Sequence, residues 1–250
     1  MHGRPDNLHP STELHHTSTS AHLRSFDLNN AGRDFIVGDI HGHFEQLEAL
    51  LLRHRFNPSL DRVFCTGDLI DRGPFSEQAV DWLKHPWFHA VRGNHEQMVL
   101  DHAAGTGDAA RHARNGGAWF YQLDAKRQQI VIDALAKLPM AIEVAVGNQR
   151  KIGVIHAELP GWEDQLDWNS AVALLCSEHT PTRLAAYQQA MYSRTRITRQ
   201  DPTPISGVER LYVGHSTVPG ITELGNVVYV DTGCSFPDGA LSAVQLRIKG

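Results

Sequence analysis

The chain has 250 residues, 41% hydrophobic and 20% charged, enough to bury a sizeable core in one globular domain. A formal net charge of -5 and a pI near 6.3 argue against an electrostatic grip on nucleic acid or on an anionic membrane surface. No apolar run approaches the ~20 residues that span a bilayer, and three scattered cysteines (Cys65, Cys176, Cys234) suit buried thiols in a reducing cytoplasm.

Residues 1–30 are rich in Ser, Thr and Asn, carry His2, His9, His15, His16 and His22, and lack an apolar signal-peptide core. A disordered polar tail is expected there, with 31–250 forming one domain. Phe35-Ile36-Val37-Gly38 reads as a buried strand running into Asp39-Ile40-His41. Residues 44–54 place Phe44, Leu47, Leu50 and Leu51 at helical spacing. The strand Val63-Phe64-Cys65 follows and ends at Gly67, then Asp68, Asp71, Arg72 and Gly73. A helix over 74–83 with Pro74 in its first turn, a strand over 87–92 and a helix from about residue 96 come next. Strand, helix, strand, helix, strand implies parallel pairing through right-handed crossovers. Residues 105–117 are turn-rich, and 121–138 are helical until Pro139. Residues 142–155 read as a hairpin turning at Gly147-Asn148, and 171–191 as a helical stretch broken at Pro181. Strands at Leu211, Val227 and 241–248 close an α/β (α+β) fold of two packed sheets flanked by helices, its second half more antiparallel.

Five apolar runs each deliver an Asp, Asn or His at the carboxyl end: Asp39 and His41, Asp68, Asn94, His156 and His215. Any one of these is most simply a turn residue or a solvated side chain. Together they describe one sheet edge presenting oxygen and nitrogen metal ligands. Asp39 and His41, two apart, project to one face and with Asp68 make a first site. Asn94, His156 and His215 make a second. The two oxygens of Asp68 can serve both cations, which would lie ~3.5–4 Å apart. Such donors suit Mn, Fe or Zn, and two cations lower the pKa of bound water towards neutrality. Arg72, Arg92 and Arg194 can grip a phosphoryl group through planar paired donors. His95, beside Asn94, is the candidate general acid, with Asp71 to orient it. Asp71 could equally cap the helix at Pro74, and Glu96 belongs behind the ligands or at a helix start.

Three stretches, Gly38-Asp39-Ile40-His41-Gly42, Gly67-Asp68-Leu69-Ile70-Asp71-Arg72-Gly73 and Arg92-Gly93-Asn94-His95-Glu96, resemble the signature motifs of the phosphoprotein phosphatase family of metallophosphoesterases. The likeness is to bacteriophage lambda-type and bacterial Ser/Thr protein phosphatases. It extends to the run from Phe88 to Leu100, to Asn115-Gly116-Gly117-Ala118-Trp119-Phe120, and on to the C-terminus. It implies a β-sandwich flanked by helices with two metals, commonly manganese, in a shallow cleft. By that likeness the first metal takes Asp39, His41 and Asp68; the second takes Asp68, Asn94, His156 and His215. Arg72 and Arg92 would bind phosphate, His95 with Asp71 would be the acid dyad, and Arg194 the third phosphate arginine, with Arg196 competing. The loop Asp231-Thr232-Gly233-Cys234-Ser235-Phe236 resembles one bordering the cleft.

Two departures sharpen the expectation. His215 is followed by Ser216-Thr217, without the second histidine of phosphodiesterase and nuclease relatives. Symmetric dinucleoside-polyphosphate hydrolases resemble the chain but tend to carry alanine where Asp71 stands and Asp where Glu96 stands. The resemblance therefore implies a phosphomonoesterase acting on phosphoserine and phosphothreonine, and on phosphotyrosine as a further option, by direct attack of metal-activated water without a phosphoenzyme. The runner-up is the dinucleoside-polyphosphate hydrolase. A catalytically dead phosphoprotein-binding module would lack a ligand or the acid, and here each position is filled.

Overall fold

The computed structural model describes residues 22–147 and 149–247. In chain order these form β1 (Leu23–Phe26), β2 (Asp34–Val37), α1 (Phe44–Arg53), β3 (Arg62–Cys65), α2 (Ala79–Trp82), β4 (Phe88–Ala90), α3 (Asn94–Ala103), α4 (Ala109–Arg114) and α5 (Ala125–Leu135). The second half adds β5 (Ala141–Gly147), β6 (Arg150–Ile155), α6 (Trp168–Leu175), α7 (Thr180–Tyr192), α8 (Thr195–Arg199), β7 (Leu211–Val213), β8 (Thr222–Leu224), β9 (Val227–Tyr229) and β10 (Ala243–Gln245).

Two sheets stack. One has the order β1-β5-β6-β7-β9-β8 and the other β10-β2-β3-β4. The side-chain period of two explains why their strands are apolar throughout. In β2, Ile36 points between the sheets, against Ile142, Val154 and Val228. Its neighbours Phe35 and Val37 point outward, into a layer closed by Phe44 and Leu47 of α1. Phe64 of β3 repeats the inward position, and Val63 and Cys65 the outward one. The other sheet is covered by α6 and α7, with Trp168, Ala171 and Ala186 packed on Ile155, Leu211 and Val213. Each fully buried aliphatic or aromatic side chain contributes about 1.5–3 kcal/mol, so both outer layers are needed to hold the strands in place.

The βαβαβ opening is present: β2 and β3, and β3 and β4, pair in parallel. The second half is the more antiparallel one, as expected, though it is mixed. The β5–β6 hairpin and β8–β9 are antiparallel; β6–β7 is parallel because α6 and α7 carry the chain back, and β7–β9 is parallel because β8 does. The expected tail runs too far at its C-terminal end. Leu23–Phe26 pairs in parallel with Ala141–Val144, so the sheet begins before residue 31; the remainder of that expectation, residues 1–21, lies outside the described residues.

Other boundaries moved for local reasons. The helix expected from Pro74 begins as a 3-10 turn at Ser76, because the Ser76 hydroxyl accepts the Asp71 N–H at 2.8 Å and holds 71–75 as a turn. Helix α5 starts at Ala125, where the Asp124 side chain accepts the Arg127 N–H, and Gly117–Gln122 forms a separate 3-10 segment. Pro181 does break the helical stretch, standing in the first turn of α7. Cys65 and Cys234 are buried as expected, but Cys176 is exposed, because it follows the last residue of α6. Among the described residues no helix is long and apolar enough to cross a membrane.

Candidate active site

The parallel strands all end at one edge, and the turns that follow are backbone-strained. His41, Asp68, Asp71, Arg72 and His215 adopt positive φ, between 45° and 72°. That region is unfavourable for residues with a Cβ and is held only where surroundings over-determine it. It turns these side chains back over the strand ends. Two glycines permit the crowding: a Cβ on Gly214 would stand 1.9 Å from Asp39 Oδ1, and one on Gly93 would stand 2.2 Å from Asp68 Oδ1.

The result is a cavity of about 160 Å³ lined by Asp39, His41, Asp68, Arg72, Asn94, His95, Met98, Arg111, Asn115, Tyr192, Arg194 and His215. Asp68 is at its centre. Its Oδ2 lies 3.7 Å from His41 Nε2, 3.8 Å from His95 Nε2 and 3.4 Å from His156 Nε2. Two donor triads share it, His41–Asp68–His95 and Asp68–His156–His215, each with its ligand atoms within 4.8 Å of one another.

The protonation pattern fits divalent cations. His41 Nδ1 lies 3.0 Å from the Ile70 carbonyl and His156 Nδ1 2.7 Å from that of Thr66; a carbonyl only accepts, so each Nδ1 carries the proton. Each Nε2 is left as a lone pair aimed into the site. That of His156 meets Asn94 Oδ1 at 3.0 Å, a convergence of two lone pairs that a cation satisfies. Burial pushes His41 and His215 down to about 3, which keeps both rings neutral and ligand-ready. Burial opposes ionisation of Asp68 as well, but His156, His95, His41 and His215 around it outweigh that and lower its pKa. Asp39 is raised instead, by burial and then by Asp231 and Asp68 nearby. Its oxygens accept the Thr66 hydroxyl at 2.8 Å and the His215 N–H at 2.9 Å. A cation at this edge would offset that crowding of like charge.

Asp71 is fully buried and serves His95 rather than a helix end. Its Oδ2 accepts His95 Nδ1 at 2.7 Å and His112 Nε2 at 2.9 Å, and its Oδ1 accepts Trp119 Nε1 at 2.8 Å. Burial works against a charged His95, but Asp68 and the hydrogen-bonded Asp71 outweigh it and raise its pKa. His95 Nε2 is left on the Arg72 side, 3.3 Å from Nη2. Arg72 also reaches His41 Nε2 at 2.9 Å, and its guanidinium lies 5.8 Å from the ring centre of Phe236, in the loop expected to border the cleft.

Glu96 fills both expected roles. It accepts the N–H groups of Gly93 at 2.8 Å, Asp68 at 2.9 Å and Leu69 at 2.8 Å, bonding back to the N-cap of α3 while tying down the backbone of Asp68. Burial, with Asp68 as the next cause, pushes it up to about 7. Glu96→Ala leaves three buried N–H groups without an acceptor, and a loss of about 3–5 kcal/mol is expected in urea denaturation of the metal-free protein.

Arg92 is not brought into the cavity. Its guanidinium donates to Gln97 Oε1 and to the carbonyls of Ala136 and Leu138, where the unpaired C-terminal carbonyls of α5 attract a cation. Arg194 and Arg196 are separated just as clearly. Arg194 lines the cavity and donates to the His215 carbonyl at 3.0 Å, whereas Arg196 is buried beneath, its guanidinium 5.2 Å from the Trp162 ring centre. Sequence reasoning missed Arg111 and His112, which ride on the short helix α4 in a stretch read as turns. The Asp108 cap, whose side chain accepts the Arg111 N–H, is the signal that marked it. Asn115 and Trp119 were noticed only as part of a longer resemblance.

Comparison with known proteins bears on this edge directly. The chain is 33% identical over 219 residues to serine/threonine-protein phosphatase 2 of Escherichia coli (strain K12), covering 85% of this chain and 92% of that one. It is 34% identical over 216 residues to serine/threonine-protein phosphatase 1 of Salmonella typhimurium, covering 85% and 91%. A symmetrical bis(5'-nucleosyl)-tetraphosphatase of Erwinia tasmaniensis shares 28% over 165 residues, covering 63% and 56%. Among solved structures, a cold-active protein-tyrosine phosphatase of a psychrophilic Shewanella superposes with a TM-score of 0.57 at 17% identity, covering 96% of this chain and 83% of the other. The calcineurin-like phosphoesterase family matches residues 35–219, a span that takes in each candidate cation donor from Asp39 to His215, and the chain belongs to that family of metal-dependent phosphatases.

Proposed function

We propose that this phosphatase hydrolyses phosphoserine and phosphothreonine monoesters of proteins, with phosphotyrosine as a secondary substrate. The observation that carries the reading is the buried Asp71–His95 pair, 2.7 Å apart, with the second imidazole nitrogen turned to the cavity. A seryl or threonyl alkoxide is a poor leaving group and needs a proton as its bond to phosphorus breaks. A nucleoside polyphosphate leaves as an already stable anion and needs an acid far less. Two relatives, 33% and 34% identical with 85% of this chain covered, carry protein phosphatase names, which supports the same side.

In this reading Arg72 and Arg194 hold the phosphoryl oxygens, and His95 Nε2 delivers the proton to the departing oxygen. Asp71, clamped by His112 and Trp119, keeps the ring oriented. Asp39, His41 and Asp68 would hold one divalent cation, and Asp68, Asn94, His156 and His215 the other. When bound, the cations supply Lewis acidity and ionise water as the nucleophile. Nitrogen and oxygen donors without thiolate favour manganese, with iron or zinc as alternatives. In this reading water attacks phosphorus directly, with no phosphoenzyme.

The second reading, hydrolysis of a bis(5'-nucleosyl) tetraphosphate, is favoured by the named relative and by Arg111 as a further cation at the cavity. Manganese-reconstituted protein assayed on phosphoserine and phosphothreonine peptides and on such a nucleotide separates the two. A kcat/KM at least about tenfold higher on the peptides is expected. The reverse order transfers the assignment to the nucleotide. Activity that survives full chelation would discard both.

A further inference from the structure

We propose that Glu158 is a positioning residue for the reaction: it fixes the turn that presents Arg194 to the phosphoryl group. The inference rests on Arg194 being a substrate-binding arginine. Glu158 stands two residues after His156, just beyond β6, and is only 3% exposed. A carboxylate so buried is retained at the expense of its hydration and must be repaid by strong hydrogen bonds. Its partners lie on both sides of Arg194. Oε1 accepts the Arg196 N–H at 2.6 Å, while Oε2 accepts the Ser193 hydroxyl at 2.5 Å and Trp162 Nε1 at 3.1 Å. The residues before and after Arg194 are therefore pinned to one carboxylate from below, and Arg194 itself is left exposed above them.

Charge balance supports the same assignment. Arg196 is 2% exposed, held by the carbonyl of Thr203 and placed over the Trp162 ring. Burial lowers the Arg196 pKa, and Tyr229, Asp201 and Glu158 nearby oppose that shift. A neutral side chain at 158 would lose acceptors for the turn and leave a buried guanidinium without the Glu158 charge. The upper side is fixed separately, since the Arg194 guanidinium donates to the carbonyl of His215. Arg194 is thus tied to two cation-ligand loops, by its backbone through the one after His156 and by its side chain through His215.

The test uses manganese-loaded full-length protein and a nitrophenyl phosphate, so that it does not depend on which natural substrate is correct. Glu158→Gln keeps the volume but replaces one acceptor oxygen with a donor amide. It is expected to raise KM about tenfold with kcat changed by less than about twofold, the pattern of a lost binding contact. Ser193→Ala, which leaves the buried charge in place, is expected to raise KM about threefold and covers the case in which Glu158→Gln folds poorly. In an Arg194→Ala background both effects should vanish, because their route to substrate is gone. Manganese content should equal that of the parent in each variant. Full additivity with Arg194→Ala, or manganese loss in Glu158→Gln, overturns the proposal, the latter by making Glu158 act through His156. If Arg194→Ala raises KM while Glu158→Gln and Ser193→Ala leave it normal, the positioning role alone falls. A normal KM in Arg194→Ala itself removes that arginine from binding and the proposal with it.

Discussion

Asp68→Asn is expected to weaken both cations together and to lower activity by at least about 100-fold, since even losing an outer partner of a metal ligand has that effect. The reason is geometric. One oxygen of Asp68 stands within 3.8 Å of imidazole nitrogens from both donor triads, so no other side chain in the cavity can take its place. An amide of the same size keeps an oxygen to accept the His95 N–H, which Asp68 Oδ1 takes at 3.0 Å. It loses the charge, however, and puts either a neutral oxygen or an NH₂ group among the imidazoles. Titration calorimetry with Mn²⁺, and metal analysis after dialysis, should show two weakened sites. Two ions retained at parental affinity would show that the carboxylate does not bridge.

The next largest effect belongs to His95→Asn. Turnover of an alkyl phosphomonoester is expected to fall by about 10²–10⁴ with both cations retained. The fall should be much smaller for a nitrophenyl ester, whose leaving group needs little protonation. That contrast separates proton delivery from a loss of architecture, because damage to the site would slow both substrates alike. The structure also sets up the competing result. His95 Nε2 belongs to the donor triad with His41 and Asp68, so metal loss in the variant would move His95 from acid to ligand. Its firm hold on Asp71 through the other nitrogen is the reason to expect the acid.

What could be read from the chain, and what could not, divides along a physical line. The candidate ligands Asp39, His41, Asp68, Asn94, His156 and His215 were legible because each follows an apolar run, and parallel strands necessarily bring their carboxyl ends to one edge. The run Phe35-Ile36-Val37 was legible as a buried strand, and the period of two then sends Ile36 between the sheets and its neighbours outward. Side-chain direction beyond the strands was not. Arg92 looks equivalent to Arg72 in sequence, two residues before a ligand rather than four after one. Only the end of α5, packed alongside, draws its guanidinium away from the cavity.

The same holds for the partners of Asp71. The sequence offered Asp71 to orient His95 or to cap a helix at Pro74; the fold gives it His95 and adds His112 and Trp119, 41 and 48 residues away. The Asp108 cap marks α4 locally, but nothing local marks His112 or Trp119 as partners of Asp71, since that depends on what their segments pack against. Strand β1 was hidden likewise: LRSF has no strong period of its own and becomes a strand only where the open edge of β5 offers it hydrogen bonds. The sequence by itself determined which atoms can bind cations and roughly which edge carries them. Tertiary packing decided which arginines enter the cavity, which partners beyond His95 hold Asp71, and where the sheet begins, since these depend on contacts between segments that no local pattern encodes.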